Sequence, residues 1–380
     1  MTVPAEAALT TRHADLGDLA ALLREQQARK VDVVAPPSAL RARGGMLVIA
    51  GTEPVLTDTG VDLADGTYRP TATCDEGISD KLGIDLRYLR KLRDQAIDLY
   101  DVNVNGWLDR ADPARRFLVR CFRGQSGRGV ARALLSDGYK RIDHLDVLTA
   151  ILGGVERAGV PVQVAGCDLT ERRMYVRLYS EQVSALAPVL LDGYRSPFTG
   201  AEGAANPVVW GGLVITNSET GDGAAAITPR LVVQVCRNGY TITADAHRAV
   251  HLGGKLAEGV IDWSADTQQR SLDLITAKAR DAVARFLDPA YVQSVVTRIE
   301  RDAGVLVERP QDTIALVSQQ LRFTDEQQDA ILGHFIRGGS LTAGGVMHAV
   351  TSVAQTLDDA DAAHDMESQA LKALQLAAAR

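Results

Sequence analysis

Residues 211–251 read GGLVITNSETGDGAAAITPRLVVQVCRNGYTITADAHRAVH and carry the clearest structural pattern in the chain. β-Branched residues dominate 211–216 and 230–236, which is typical of strands. Asn, Ser, Glu, Thr, Gly and Asp fill 217–223 between them, and these residues favour turns. The pattern predicts a β-hairpin, followed by a second tight turn at the Asn-Gly pair of 238–239.

The order of the elements along the chain indicates the fold class. Helical spacing comes first, a run of strands with one helix among them follows, and helical spacing then returns. This segregation predicts an α+β fold with a mostly antiparallel central sheet, an N-terminal helical segment and a C-terminal helical region. We expect residues 1–110 to be helical with a candidate helix-turn-helix, 111–262 to form the sheet core, and 263–380 to form the C-terminal helices.

The predicted hairpin also gathers polar side chains that could form a catalytic site. A carboxylate can serve as a general base or metal ligand, a cysteine beside a histidine can act as a nucleophile, and an arginine can bind an anion. The catalytic candidates are Glu219, Asp222, Cys236 and His251, and the other polar residues of this site are Asn217, Ser218, Arg230 and Asn238. The alternative is that these residues form ordinary polar turns, with Cys236 a buried and inert thiol.

The same stretch resembles a known family. The motifs are Asn217-Ser218, an acidic turn ending at Gly223, Val-Cys-x-Asn-Gly at 235–239 and His-Leu-Gly-Gly at 251–254. They resemble the phage/plasmid-like family called domain of unknown function 932, and the resemblance extends over about residues 80–360. It implies a place in mobile genetic elements and no particular reaction.

The chain departs from that family's pattern at two places. Glu219-Thr220 stands where the family tends to have His-Asp, and His348 stands where it tends to have Asn. A role that required the family's residues at these positions therefore does not transfer to this chain.

Residues 76–93, EGISDKLGIDLRYLRKLR, have the pattern of a helix-turn-helix. Gly83 supplies the turn, Asp85 can cap the second helix, and the leucines of that helix point to one side. Its cations could contact phosphates, and the candidate nucleic-acid-binding residues here are Arg87, Arg90 and Lys91. The alternative is an ordinary helical pair with a solvated basic face.

A second candidate nucleic-acid surface lies on the predicted strand 172–180. Its apolar residues alternate with Arg173, Tyr175, Arg177 and Tyr179. Arginines for phosphates and tyrosines for base stacking would suit a single-stranded nucleic acid. The alternative is a surface strand whose tyrosines cover neighbouring side chains.

The composition excludes some classes of protein. The net charge of −7 argues against wholesale binding to nucleic acid or membrane, although a local basic face can exist on an acidic protein. Four widely spaced cysteines with no Cys-x-x-Cys pair do not predict a zinc site or a disulfide framework. His247 and His251 have metal-binding spacing without an identifiable third ligand, so we predict no metal site, and no cofactor is indicated.

The start of the chain lacks a basic segment followed by an apolar run, and no apolar stretch is long enough to span a membrane. We therefore expect a cytoplasmic protein, in the host cytoplasm if it is phage-encoded. The first hypothesis is a phage or plasmid accessory protein that binds nucleic acid, with single-stranded DNA as a candidate, in replication or recombination. The alternatives are an enzyme with its site at the 217–251 hairpin and a structural protein that acts as a homo-oligomer.

Overall fold

The computed structural model describes residues 8–57, 60–124, 128–139, 142–234, 239–241, 247–248 and 265–379. The strands within these residues are β1 (Thr11–Ala14), β2 (Lys30–Ala35), β3 (Leu40–Arg43), β4 (Met46–Ile49), β5 (Val55–Thr57), β6 (Gly60–Asp62), β7 (Gly66–Pro70), β8 (Phe117–Phe122), β9 (Arg128–Ser136), β10 (Gln163–Leu169), β11 (Met174–Leu186), β12 (Val208–Asn217), β13 (Ala226–Val233), β14 (Gly239–Thr241) and β15 (His247–Arg248).

The helices within the same residues are α1 (Leu16–Arg29), α2 (Ala72–Leu82), α3 (Leu86–Gln95), α4 (Ile97–Leu108), α5 (His144–Ala158), α6 (Pro188–Leu191), α7 (Ala265–Phe286), α8 (Pro289–Ala303), α9 (Pro310–Leu321), α10 (Asp325–Gly338), α11 (Ala343–Thr356), α12 (Ala360–Ser368) and α13 (Ala370–Ala378). No helix of the described ranges is both long enough and apolar enough to cross a lipid bilayer.

The strands form two main sheets. The first is antiparallel with the order β1-β10-β11-β12-β13-β14, and β15 also pairs with β13. The second has the order β2-β8-β9-β7-β4-β3 and is mixed, because β7 and β9 run parallel. β5 and β6 form a separate small hairpin. The fold is α+β, as the order of the elements predicts.

The hairpin predicted from residues 211–236 is present as β12 and β13, with Gly211 opposite Leu231. Gly212 lies against the next strand so closely that a Cβ atom there would be 2.5 Å from the carbonyl oxygen of Leu178. The absence of a side chain therefore lets β11 and β12 approach one another at this point.

The structure differs from the expected helical N-terminal region. Residues 30–70 supply β2, β3, β4 and β7 to the second sheet. This sheet crosses the boundary expected at residue 110, because β2 lies beside β8 and β7 lies beside β9. These strands are only four to six residues long. Such short segments carry little periodicity, and their partners lie far away in sequence, so local pattern does not reveal the sheet that they form.

Each sheet has its own apolar core. The first core joins the apolar side chains of β10–β13 to α5, α7, α8 and the C-terminal helices. The second core joins the second sheet to α2, α3 and α4. The connection between β12 and β13 reaches from the first sheet to the second, and it carries the polar residues described next.

Candidate functional site

Glu219, at the end of the predicted hairpin, is buried and has partners on both carboxylate oxygens. Its Oε2 accepts a charge-assisted hydrogen bond from Arg132, and its Oε1 accepts one from the backbone N–H of His144 at 2.6 Å. Nη1 of Arg120 donates to the Glu219 carbonyl oxygen at 3.0 Å. The hairpin connection is thus fixed to β8, β9 and the first turn of α5.

Arg120 extends this arrangement into an interior ionic cluster. Its guanidinium, which is fully buried, donates to Asp32 Oδ2 at 2.9 Å and to Asp143 Oδ1 at 2.5 Å, and Lys30 also pairs with Asp143. The interior ionic cluster consists of Lys30, Asp32, Arg120, Arg132, Asp143 and Glu219. Three cations match three carboxylates, which is how buried charges are accommodated in proteins.

The electrostatics of the cluster keep Glu219 ionised. Burial raises the pKa of Glu219, but the guanidinium groups of Arg132 and Arg120 and the backbone N–H of His144 lower it by more, so its pKa lies well below the usual range. Burial also lowers the pKa of His144, which favours the neutral ring. A general base needs a pKa near the working pH and a free oxygen facing its substrate. Glu219 has neither, so its environment is that of a structural ion pair.

The other polar residues of the hairpin are also engaged in structural contacts. Ser218 Oγ donates to the carbonyl oxygen of Arg172 at 2.8 Å, and Asp222 pairs with the Arg172 guanidinium at 3.0 Å. Asn217 Nδ2 lies 3.0 Å from His144 Nδ1. The contacts with Arg172 hold the connection against the turn between β10 and β11, and the contact with His144 holds it against the start of α5.

Arg230 lies apart from this group, and the remaining candidates fall outside the residues that the structure describes. Arg230 is buried on β13 and pairs with Glu367 of α12 at 2.7 Å. Cys236, Asn238 and His251 lie outside the described residues, as does the side chain of His247. A catalytic site that unites Glu219 with Cys236 and His251 therefore has no geometric support.

The strand with alternating arginines and tyrosines is β11, and α12 covers its basic and aromatic face. Tyr175 is fully buried, and its hydroxyl donates to Asp361 at 2.7 Å. Tyr179 is buried and stacks on Trp210 with ring centroids 5.2 Å apart. The predicted alternation is correct, but the predicted open stacking platform is wrong because the tyrosine rings are not accessible to bases.

The arginines of the same face are neutralised within the chain. Arg177 pairs with the buried Asp168, and Arg173 Nη1 lies 3.4 Å from Asp365 of α12. Arg173 is thus paired with α12 and Arg177 with β10, which leaves no cationic strip for phosphates on β11.

The two helices and the turn predicted over residues 76–93 are present as α2, a three-residue turn and α3. Gly83 has φ of +68°, in the left-handed region that glycine adopts without strain, and it ends α2. Asp85 caps α3, because its carboxylate accepts from the N–H of Tyr88 at 2.9 Å. Leu89 and Leu92 are buried on the inner side of α3. Helices α2, α3 and α4 pack together over the second sheet.

The outer side of α3 carries cations that differ in how far they are neutralised. Arg90 donates to Glu76 at 2.7 Å. Arg87 and Lys91 are exposed, and they form no ion pair or hydrogen bond with any residue of the described ranges. Tyr88 lies beside them and is 47% exposed. The basic face of α3, defined by Arg87, Tyr88, Arg90 and Lys91, is therefore accessible to a ligand.

Sequence patterns did not identify most of the interior ionic cluster. Arg120 stands inside the otherwise apolar strand FLVRCF, and Arg132 stands inside GVARALL, the apolar middle of β9. A lone arginine at such a position is the signal that could have found them, because a buried charge requires a partner.

No protein-family model, curated protein or solved structure matches the chain. The resemblance to domain of unknown function 932 therefore stays a prediction.

Proposed function

We propose that the protein binds nucleic acid through the basic face of α3, and that duplex DNA is the preferred ligand. The observation that carries this proposal is the exposure of Arg87 and Lys91 without partners among the described residues, on the second helix of a helix-turn-helix. The second helix is the one that such motifs place in the major groove.

The chemistry of the face suits this ligand. Arg87 and Lys91 are one helical turn apart and so project from the same side of α3. Phosphate contacts from such cations supply most of the affinity for DNA, and arginine can also bind the edge of guanine through two hydrogen bonds. The net charge of −7 does not oppose this, because the local basic patch rather than the whole chain faces the ligand.

The close packing of α2 against the second sheet favours a fixed position for α3. A Cβ atom at Gly77 of α2 would lie 2.4 Å from the carbonyl oxygen of Leu134, so the helix backbone packs directly onto β9. A rigid sheet beneath the motif lowers the entropy lost when α3 docks into a groove.

Single-stranded nucleic acid is the less favoured ligand. Its recognition requires aromatic rings on which bases can stack. Tyr175 and Tyr179 are buried, and Tyr88 is the aromatic residue of the basic face. A single exposed ring gives weaker support for a strand-binding groove than a helix-turn-helix gives for a duplex.

Fluorescence anisotropy with labelled duplex and single-stranded oligonucleotides tests the proposal. At about 50 mM salt we expect the duplex to bind more tightly, and Arg87→Ala with Lys91→Ala to weaken binding about tenfold. The matched control is Arg270→Ala with Arg301→Ala, which removes two exposed cations from α7 and α8. Equal affinities for the two double variants would overturn the proposal.

The proposed context follows from the resemblance to domain of unknown function 932. It is an accessory role for a phage or plasmid in replication or recombination, in the cytoplasm.

Self-association is a further part of this proposal. The exposed apolar side chains of α4, Leu99, Val102 and Trp107, offer a surface for a second copy.

A further inference from the structure

A narrow cleft lies beside the interior ionic cluster, at the start of α2. Its walls include Thr71, Phe122, Arg132, His144 and Glu171. We propose that this cleft binds a small molecule through a carboxylate group, which docks on the free edge of Arg132. This inference is independent of nucleic-acid binding by α3.

Arg132 carries the argument because only part of its guanidinium is used. The side chain is 9% exposed, Nη1 pairs with Glu219, and the group lies over the ring of Phe122 at 3.9 Å from the centroid. Nε and Nη2 are buried and have no hydrogen-bond partner among the described residues. These two nitrogens form the edge of a guanidinium that binds both oxygens of a carboxylate.

An unpaired donor of this kind indicates a ligand. Burying a charged donor without a partner costs on the order of 1–3 kcal/mol or more, so native structures rarely leave two on one group. The ring of Phe122 fixes the plane of the guanidinium, which orients the free edge before the ligand arrives.

The size of the cleft favours a carboxylate over a phosphate. Its volume is about 20 Å³, whereas one water-sized group needs roughly 10–15 Å³. The cleft therefore accepts the two oxygens of a carboxylate, while the remainder of the ligand points toward its open side. A phosphate, which carries four oxygens around one atom, is the bulkier head group.

The charges around the cleft also favour a carboxylate over a phosphate. The interior ionic cluster is already balanced, and Glu171 adds a negative charge at the cleft. A dianion would be repelled by Glu171 more strongly than a carboxylate with one charge. The N-terminal end of α2, which begins after Thr71, adds a favourable field for one negative charge.

Nuclear magnetic resonance of protein labelled with ¹⁵N-arginine tests the proposal, with acetate as the probe. We expect the Nε–H resonance of Arg132 to shift saturably below about 50 mM acetate, with chloride and phosphate at equal ionic strength causing no saturable shift. Arg132→Lys keeps a cation for Glu219 and should abolish the responsive resonance, which also assigns it.

A second variant keeps the test decisive if Arg132→Lys does not fold. Glu171→Gln leaves Arg132 intact and should tighten acetate binding by about threefold, because it removes the neighbouring negative charge. An unmoved Arg132 resonance in acetate, equal binding of phosphate, or no gain in Glu171→Gln would overturn the proposal.

Discussion

Ser79 and Ile84 are joined by two hydrogen bonds across the turn between α2 and α3. The hydroxyl of Ser79 donates to the carbonyl oxygen of Ile84 at 2.6 Å, and the N–H of Ile84 donates to the carbonyl oxygen of Ser79 at 3.0 Å. The pair closes the turn around Gly83 and sets the direction in which α3 leaves α2. The basic face of α3 depends on this direction for its presentation.

Replacing Ser79 with alanine should loosen that turn. We expect Ser79→Ala to lower the free energy of unfolding by about 1 kcal/mol, since the Ile84 carbonyl loses a donor in a partly buried place. Urea denaturation measures the change. Ser368→Ala removes an exposed hydroxyl that bonds only within its own helix, and it should cost less than about 0.5 kcal/mol. Equal losses in both variants would contradict a special role for the turn.

Glu219→Gln should destabilise the fold severely. The substitution keeps the shape of the side chain but leaves Arg132 with an uncompensated buried charge, so we expect a loss of about 3 kcal/mol or more. Asp222→Asn is the matched control, because its pair with Arg172 is partly exposed and should cost about 1 kcal/mol or less. A fully stable Glu219→Gln variant would show that the charge of Glu219 serves something other than folding.

His348 should make stability depend on pH. Burial lowers its pKa to about 4, while an unfolded histidine has a pKa of about 6.5. The unfolded state therefore binds more protons between these values, and this contribution to stability is complete above pH 6.5 and is lost as the pH falls toward 4. The loss of stability from this source approaches about 3 kcal/mol at pH 4.

The pH effect is measured as the difference between two variants in urea denaturation at several pH values. His348→Asn should reduce the pH dependence between pH 6.5 and 4 by the share of His348, while His364, whose pKa burial also lowers to about 4, keeps its own share. His13→Asn is the control, because His13 is exposed and asparagine tolerates its φ of +53°. The same slope in His348→Asn as in the unaltered chain would contradict the assignment.

The described cysteines should be unreactive in the folded protein. Burial raises the pKa of Cys74 and Cys121, and raises that of Cys167 to about 11. Because the thiolate is the reactive form, a Cys236→Ser variant should show no labelling by a disulfide thiol reagent until it unfolds. Labelling of the native variant at the rate of the unfolded chain would place at least one of these thiols at the surface.

Local features of the fold could be predicted from the sequence because their causes are local. The turn residues after Thr216 predict the β12–β13 hairpin, and Gly83 and Asp85 predict the turn and cap of the helix-turn-helix. The alternation on β11 correctly separates its two faces. Each of these depends on residues within a few positions of one another.

The features that could not be predicted depend on distant residues. Tyr175 is covered by Asp361, which lies 186 positions away, and Arg230 pairs with Glu367 at a separation of 137. No local pattern on β11 distinguishes a basic face that meets solvent from one that meets an acidic helix of the same chain. The interior ionic cluster could not be predicted because its members are also far apart in sequence. They come from β2, β8, β9, the N-cap of α5 and the hairpin connection.

The salt dependence of duplex binding tests the central claim most directly. The slope of log K against log salt concentration reports how many phosphates the protein neutralises, at about 0.9 per contact. We predict that Arg87→Ala with Lys91→Ala reduces the magnitude of this slope by about 2, and that Arg270→Ala with Arg301→Ala leaves it unchanged. An unchanged slope in the α3 double variant would contradict the claim that the basic face of α3 contacts DNA.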